Sequence, residues 1–263
     1  METEGDMKSL ALLPIASLVL LAIACGGGDK ESGEGTAAPT TVAASPASGG
    51  VSAEYRSAAP AAAEAALLIV DDLPSGWTGE PAAESTSDVS LTGMCAAFNT
   101  RDGFPGSIAD ASSDDLTGPG GQEASSGAAV FASAQVAQST LDQLNSLVNT
   151  CRVQLIDVFS ELFKQGYVEG GGELSDLTEV ETSVSDLSYP ALGDDSNAYR
   201  VTINATVGAT KISSVIDVII IRSGAMGASL TYFVIGEVDD EEEQSLVETV
   251  ASKLEQADAS LPR

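Results

Sequence analysis

Histidine is absent from the 263 residues, and lysine and arginine are scarce. Without histidine the chain lacks the commonest general base, the commonest side-chain ligand of transition metals and the usual pH switch. Only 11 Lys and Arg residues oppose 39 Asp and Glu residues, which gives a formal net charge of −28. Such a surface repels phosphate backbones and anionic lipid headgroups, so nucleic-acid binding and docking through a basic patch are disfavoured. The charge indicates solubility in an exposed setting, with capture of cations or basic partners as the alternative.

The motifs of common catalytic sites are also missing. The sequence contains no G-x-S-x-G elbow, no S-x-x-K dyad, no phosphate-binding loop and no C-x-x-C pair. Together with the absence of histidine, this favours a protein that is not an enzyme and that uses no cofactor.

An export signal occupies the start of the chain. The apolar run from Leu10 to Ala24 follows Lys8, contains Pro14 and is too short for a bilayer span of about 20 residues. A basic residue, a short apolar segment and small residues at its end predict a signal peptide over residues 1–24. The acidic opening METEGD is unusual before such a segment, so Met7 is an alternative start.

Cys25 follows this signal directly. The stretch Ala22-Ile23-Ala24-Cys25 resembles the lipobox of bacterial lipoproteins, which implies cleavage before Cys25 and a diacylglycerol on its thiol. Ala22 stands where that family usually has leucine, and the same stretch fits ordinary secretion, so secretion without a lipid and an uncleaved anchor are the alternatives. The flexible GGGDKESGEG that follows Cys25 favours lipidation and attachment to the extracytoplasmic face of the cell membrane.

Composition divides the rest of the chain into two parts. Residues 25–60 are rich in Gly, Ser, Ala, Thr and Pro without an apolar period, which predicts a disordered, lipidated tether. Residues 61–263 are expected to form one extracytoplasmic domain that opens with a short helix over Ala61–Val70. An anchored Cys25 leaves Cys95 and Cys151 as an even pair, which favours a disulfide between them. Two separate buried thiols are the alternative.

Helical periodicity is clearest in the middle of the chain. Ser133 is a natural N-cap, and apolar residues then recur in alternating steps of four and three. This face comprises Ala137, Leu141, Leu144, Val148, Cys151 and Leu155. The pattern predicts a long helix that continues to Gly166, either unbroken or after a kink.

Strands dominate the last third of the chain, and residues 78–120 suggest only one or two strands around Cys95. Leu177–Leu187 alternates as a strand, and residues 199–207, 211–222 and 228–236 form a three-stranded meander with a first turn at Gly208-Ala209. This register pairs Arg200 with Asp217 as a cross-strand ion pair of modest stability, not a catalytic dyad. The elements together predict an α+β fold.

Two further features have structural interpretations. Trp77, the only tryptophan, is expected to plug the edge of the core, with a ligand platform as the alternative. Asp239–Glu243 is expected to form the first turn of a C-terminal helix, where the helix dipole favours acids. A calcium site is the alternative for this acidic run, but no EF-hand-type loop accompanies it.

Several patterns resemble the extracytoplasmic sensor-type domain of some actinobacterial Ser/Thr kinases and related lipoproteins. They are DLPSGW, AVFASAQVAQSTLDQL with a following cysteine, LGDDSNAYRV, IDVIIIRSG and the C-terminal helix. The resemblance implies a bent antiparallel sheet flanked by a long central helix and a C-terminal helix, with a cleft for a ligand. That family commonly has two disulfides, whereas this chain can form only one besides its anchor.

These observations leave two hypotheses of function. In the first, the chain is a non-enzymatic sensor that binds a small or peptidic ligand on its sheet. In the second, it is an envelope structural or interaction protein without a small ligand. A pocket lined by side chains such as Leu230 and Tyr232 would favour the first, and a sheet face covered by the long helix would favour the second.

Mass spectrometry of the mature N-terminus tests the anchor. We expect cleavage before Cys25 and a diacylglycerol mass on its thiol, because the thiol follows the signal directly. The Cys25→Ser variant, which lacks that thiol, should be recovered without lipid. An unmodified Cys25 in wild-type protein released from cells would contradict lipidation.

Overall fold

The computed structural model describes residues 51–82, 91–99 and 104–263, so the signal peptide, Cys25 and most of the tether lie outside the described residues. The described α-helices are α1 (Ala53–Ala65), α2 (Ala134–Glu169) and α3 (Asp240–Ser260). The strands are β1 (Thr78–Glu80), β2 (Ala109–Ser112), β3 (Asp115–Thr117), β4 (Glu123–Val130), β5 (Leu177–Leu187), β6 (Asp195–Val207), β7 (Thr210–Ser223) and β8 (Met226–Ile235). None of the described helices is both long enough and apolar enough to cross a membrane.

One antiparallel sheet contains all eight described strands. Its order is β1-β3-β4-β8-β7-β6-β5, and β2 also pairs with β4. The sheet and its helices confirm the predicted α+β class. Three short strands, β1, β2 and β3, lie where the sequence suggested one or two, because Gly and Asp interrupt the apolar pattern that would have marked them.

The first helix begins earlier than predicted. It spans Ala53–Ala65 rather than Ala61–Val70, so the segment from 53 to 60 is helical and not part of a disordered tether. Ser52 caps it by accepting a hydrogen bond from the Tyr55 amide, and the Tyr55 hydroxyl donates to the Phe131 carbonyl at 2.8 Å. Pro60 lies inside the helix. Tertiary contacts along a face of small alanines therefore outweigh the local penalty of proline.

The long helix and the meander follow the predicted pattern. Ser133 caps α2, which continues unbroken over 36 residues to Glu169. In the meander, Arg200 pairs with Asp217, as predicted, and the same register pairs Thr202 with Val215 and Thr206 with Lys211. Agreement over the whole register follows from the period-2 pattern, because a slip of one residue would turn Val201, Ile203 and Ala205 of β6 away from the core beneath α2.

Both faces of the central strands are covered by helices. On one face, α2 packs Leu141, Phe159 and Phe163 against alternate residues of the strands, such as Ile216 and Val218. On the other face, α1 and α3 cover a second core that includes Ile219, Ile221, Leu230 and Tyr232. Leu230 and Tyr232 are at most 1% exposed. A pocket lined by Leu230 and Tyr232, which would have favoured the first hypothesis of function, is therefore not formed here, because α1 and α3 fill this face.

A disulfide joins Cys95 to Cys151, with an S–S distance of 2.11 Å. Cys95 lies in a 3-10 helix over Gly93–Asn99, and Cys151 lies on the buried face of α2. Leu91 packs with the two buried sulfurs, so the bridge attaches an otherwise irregular segment to the long helix.

Removal of the bridge should destabilise the domain. The cysteines are 56 residues apart, and closing a loop of that length contributes about 4 kcal/mol in the chain-entropy model. We expect C95A/C151A to lower the free energy of unfolding by about this amount in urea denaturation. The single variants should show a similar loss, and an unchanged midpoint in the double variant would contradict a stabilising bridge.

Candidate functional site

A polar cleft of about 330 Å³ lies between the middle of α2 and the connection from β5 to β6. One wall comes from α2, and the other comes from the end of β5, the connection after it and the start of β6. Since α2 is distant in sequence from these strands, the fold and not a local motif creates the cleft. The lining residues are Asn145, Asn149, Asp186, Leu187, Ser188, Tyr189, Ser196, Asn197, Ala198 and Tyr199. The cleft offers amides, hydroxyls and one carboxylate, and it is the candidate binding site among the described residues.

Helical spacing arranges the α2 wall. Asn145 and Asn149 are four residues apart and therefore share one face of the helix. The Asn149 amide donates to the carbonyl and side-chain oxygens of Asn145 at 3.1 and 3.2 Å. The Tyr199 hydroxyl also donates to the Asn145 side-chain oxygen, which joins β6 to α2 across the cleft. These contacts fix the orientation of the Asn145 side-chain amide.

Tyr199 forms a neutral part of the wall. It is 5% exposed. Burial raises its pKa to about 12, the Asp186 carboxylate adds to the increase and the Arg152 guanidinium opposes it. The phenol is therefore protonated at physiological pH and acts as a hydrogen-bonding group.

Arg152 forms part of the framework beside the cleft. Its guanidinium donates to Asp186 at 2.8 Å, to the Asn149 side chain at 3.0 Å and to the Val184 carbonyl at 3.0 Å. Asp186 is largely exposed, so this pair adds little stability. Since its positive charge is shared with protein acceptors, Arg152 positions the neighbouring groups more than it attracts an anion.

A buried carboxyl cluster lies beneath the N-terminus of α3 and consists of Tyr189, Arg200, Asp217 and Glu243. Asp217 is fully buried and Glu243 is 2% exposed. The Arg200 guanidinium contacts Asp217 through Nε at 2.8 Å and through Nη2 at 2.5 Å, and it reaches Glu243 at 3.5 Å. The predicted cross-strand ion pair is therefore confirmed. Its burial was not predicted, because α3 covers Asp217 and adds a second carboxyl.

The surroundings of Glu243 raise the pKa of its carboxyl group. Burial raises its pKa to about 7, and Asp217 adds to the increase through charge and hydrogen bonding. The hydrogen bond from Tyr189 and the charge of Arg200 act in the opposite direction. Burial and the bond to Glu243 raise the pKa of Tyr189, so this phenol stays protonated while Glu243 titrates.

The acidic run has more roles than starting a helix. Asp239 caps α3 by accepting from the Glu241 and Glu242 amides, as a helix start requires. Glu242 points inward and accepts hydrogen bonds from Trp77 at 3.3 Å, Gln122 at 2.9 Å and Tyr232 at 3.0 Å. The described residues contain no cluster of His, Cys, Asp and Glu suited to a metal ion.

Sequence reasoning missed the inward direction of Glu243, although a signal for it exists. Glu243 stands four residues before Val247, on the stripe that continues through Val250 and Leu254. A carboxylate at a buried helical position indicates a partner in the core. The expected position of Trp77 at the core edge agrees with the structure, where it is 5% exposed.

No protein-family model and no curated protein matches the chain. One solved structure, the extracellular domain of PknH from Mycobacterium tuberculosis, aligns with 77% of this chain and 97% of its own at 11% identity. The TM-score of this alignment is 0.38.

The two raised carboxyl pKa values predict how stability depends on pH. Glu243 and Glu123 both have a pKa near 7 in the folded chain, against 4.5 for the free side chain, chiefly because they are buried. The folded state therefore retains protons that the unfolded state has already lost between these values. Their stabilising effect is complete below pH 4.5 and is lost as pH rises through about 7.

We expect the urea midpoint to fall between pH 5 and pH 8, and to fall less in Glu243→Gln. Glutamine keeps the shape and an acceptor for Tyr189 without the titration. Glu255→Gln, which alters an exposed acid of the same helix, is the matched control. Its urea midpoint should fall with pH as much as that of the wild type. If the urea midpoints of all three proteins depended on pH in the same way, Glu243 would not be the group responsible.

Proposed function

We propose that the chain is a membrane-anchored extracytoplasmic lipoprotein, and that its domain is a non-enzymatic sensor that binds a small polar or peptidic ligand in the cleft. The anchor would be the lipid on Cys25, and the tether would hold the domain away from the membrane. The single observation that carries the binding proposal is the cleft itself, with polar groups converging from three segments.

The compartment is supported by the disulfide. A buried Cys95–Cys151 bridge is typical of oxidising environments outside the cytoplasm. The apolar segment before Cys25 and the glycine-rich stretch after it favour the same location. These features are independent, because one concerns the folded domain and the others concern the leader.

The lining of the cleft favours a neutral, hydrogen-bonding ligand. Amides such as Asn145, Asn149 and Asn197 both donate and accept hydrogen bonds, as do the hydroxyls of Ser188 and Ser196. Anions are disfavoured, because Asp186 lines the cleft and the whole chain carries a net charge of −28. A volume of about 330 Å³ suits a small molecule or one or two side chains of a peptide.

The second candidate is an envelope interaction protein without a small ligand. The covering of both central sheet faces favours it, because the face expected to bind a ligand is filled by α3. The edge strand β5 also presents Glu179 and Glu181 to solvent, where a basic partner would find carboxylates.

Native mass spectrometry of the protein purified from its host separates the two candidates. We expect a small bound mass that is retained in wild type and in Asn204→Ala, and lost in Asn149→Ala. Asn204 is an exposed asparagine of β6 outside the cleft and serves as the matched control. Consistently empty protein, or equal retention in both variants, would contradict binding in the cleft.

A further inference from the structure

Tyr189 belongs to both the cleft and the buried carboxyl cluster. Its side chain lines the cleft, and its hydroxyl donates a hydrogen bond to Glu243 Oε1. It lies in the connection between β5 and β6, between two strands that carry other cleft residues. Since this connection is not itself a strand or helix, the bond to Glu243 is a specific restraint on the wall.

The groups that face Glu243 come from every element around it. The β5–β6 connection contributes the Tyr189 hydroxyl, β6 contributes the Arg200 guanidinium and β7 contributes the Asp217 carboxylate. From β8, Tyr232 lies close enough for the charge of Glu243 to raise the pKa of its phenol, and the Tyr232 hydroxyl donates its hydrogen bond to Glu242 of α3. Among these partners, Tyr189 is the one that also lines the cleft.

We propose that Glu243 is a positioning residue that holds Tyr189 in the wall of the cleft, and that it does so more firmly when its carboxyl is ionised than when it is protonated. This inference rests on the cleft being the binding site of the proposed function. In this arrangement pH controls the order of the cleft wall. Glu243 is the titrating group, and Tyr189 is the side chain that links it to the cleft.

The direction follows from the chemistry of the bond. A phenol donates a shorter and stronger hydrogen bond to a carboxylate than to a neutral carboxyl group. The bond from Tyr189 lowers the pKa of Glu243, although burial raises it overall to about 7. Coupling between two sites is reciprocal, so loss of the proton must in turn favour the docked position of Tyr189.

Positioning and stability should therefore respond to pH in opposite directions. Ionisation places a second negative charge beside Asp217 and weakens the fold as a whole. The same ionisation strengthens the bond that orders the cleft wall. If Glu243 had only a structural role, its ionisation would loosen the cleft wall together with the rest of the fold.

Nuclear magnetic resonance of the five tyrosines, labelled at Cζ, tests this inference without a ligand. The protein is purified from the membrane in detergent, titrated from pH 5.5 to 8.5, and the lines are assigned by Tyr→Phe variants. We expect the Tyr189 line to shift with a midpoint near the Glu243 pKa of about 7. The Tyr199 line should shift with it, because both side chains line the cleft. Tyr55 and Tyr167, which lie outside the cleft and the cluster, should not follow this midpoint.

Three variants test whether the effect of pH passes from Glu243 through Tyr189 to the cleft. Glu243→Gln should abolish both shifts, and Tyr189→Phe should abolish the shift of Tyr199, because the link to the cleft is gone. Glu123→Gln is the matched control, since it removes a carboxyl whose pKa is also about 7 but which lies outside the cluster. Both shifts should survive in this variant.

Three results would overturn the inference: a Tyr199 line that does not titrate in wild type, a Tyr199 shift that persists in Tyr189→Phe, or shifts that are lost in Glu123→Gln. If Glu243→Gln fails to fold, the wild-type titration and Tyr189→Phe still decide. Because no ligand is used, failure here leaves the binding proposal to its own test by bound mass.

Discussion

The ion pair between Arg200 and Asp217 is the constraint on which the rest of the site depends. Asp217 is fully buried, and removing a carboxylate from water costs several kcal/mol unless a well-placed partner compensates. Two contacts from one guanidinium provide that compensation and join β6 to β7 at one register. Glu243 then brings a second carboxyl to the same guanidinium. Burial and the charge of Asp217 together raise the pKa of Glu243 to about 7, since one guanidinium is shared between two buried carboxyls.

This arrangement gives the start of α3 two different tasks. Asp239 satisfies the free amides of the first turn on the solvent side. Glu242 and Glu243 point to the core, where they receive hydrogen bonds from Trp77 and Tyr189. The helix is therefore attached through directional bonds at its first turn and through Val247, Val250 and Leu254 along its length. The directional bonds fix where the helix lies along the sheet, which aliphatic contacts specify less strongly.

The sequence predicted the elements better than it predicted the site. Period-2 alternation with one short turn was enough for the register of β6 and β7, and a cap with helical spacing was enough for α2. The early start of α1 was missed, because the small residues before Pro60 resemble the tether in composition, whereas the contact that ties this segment to the fold, from Tyr55 to Phe131, is distant in sequence. The cleft could not be predicted, since Asn145 and Tyr199 are 54 residues apart and meet only after α2 packs on the sheet.

The buried charges are not required by packing. Replacement of a buried ion pair by apolar side chains of similar volume is often neutral or stabilising. Neighbouring positions of β7, such as Val215 and Ile219, are filled by such side chains. An aliphatic residue at position 243 would add to that core, but it could not accept a hydrogen bond from the Tyr189 hydroxyl. Its contact with Tyr189 would also not change with pH. A carboxyl group at this position therefore contributes a directional hydrogen bond and a titrating group. Both act on Tyr189, which lines the cleft.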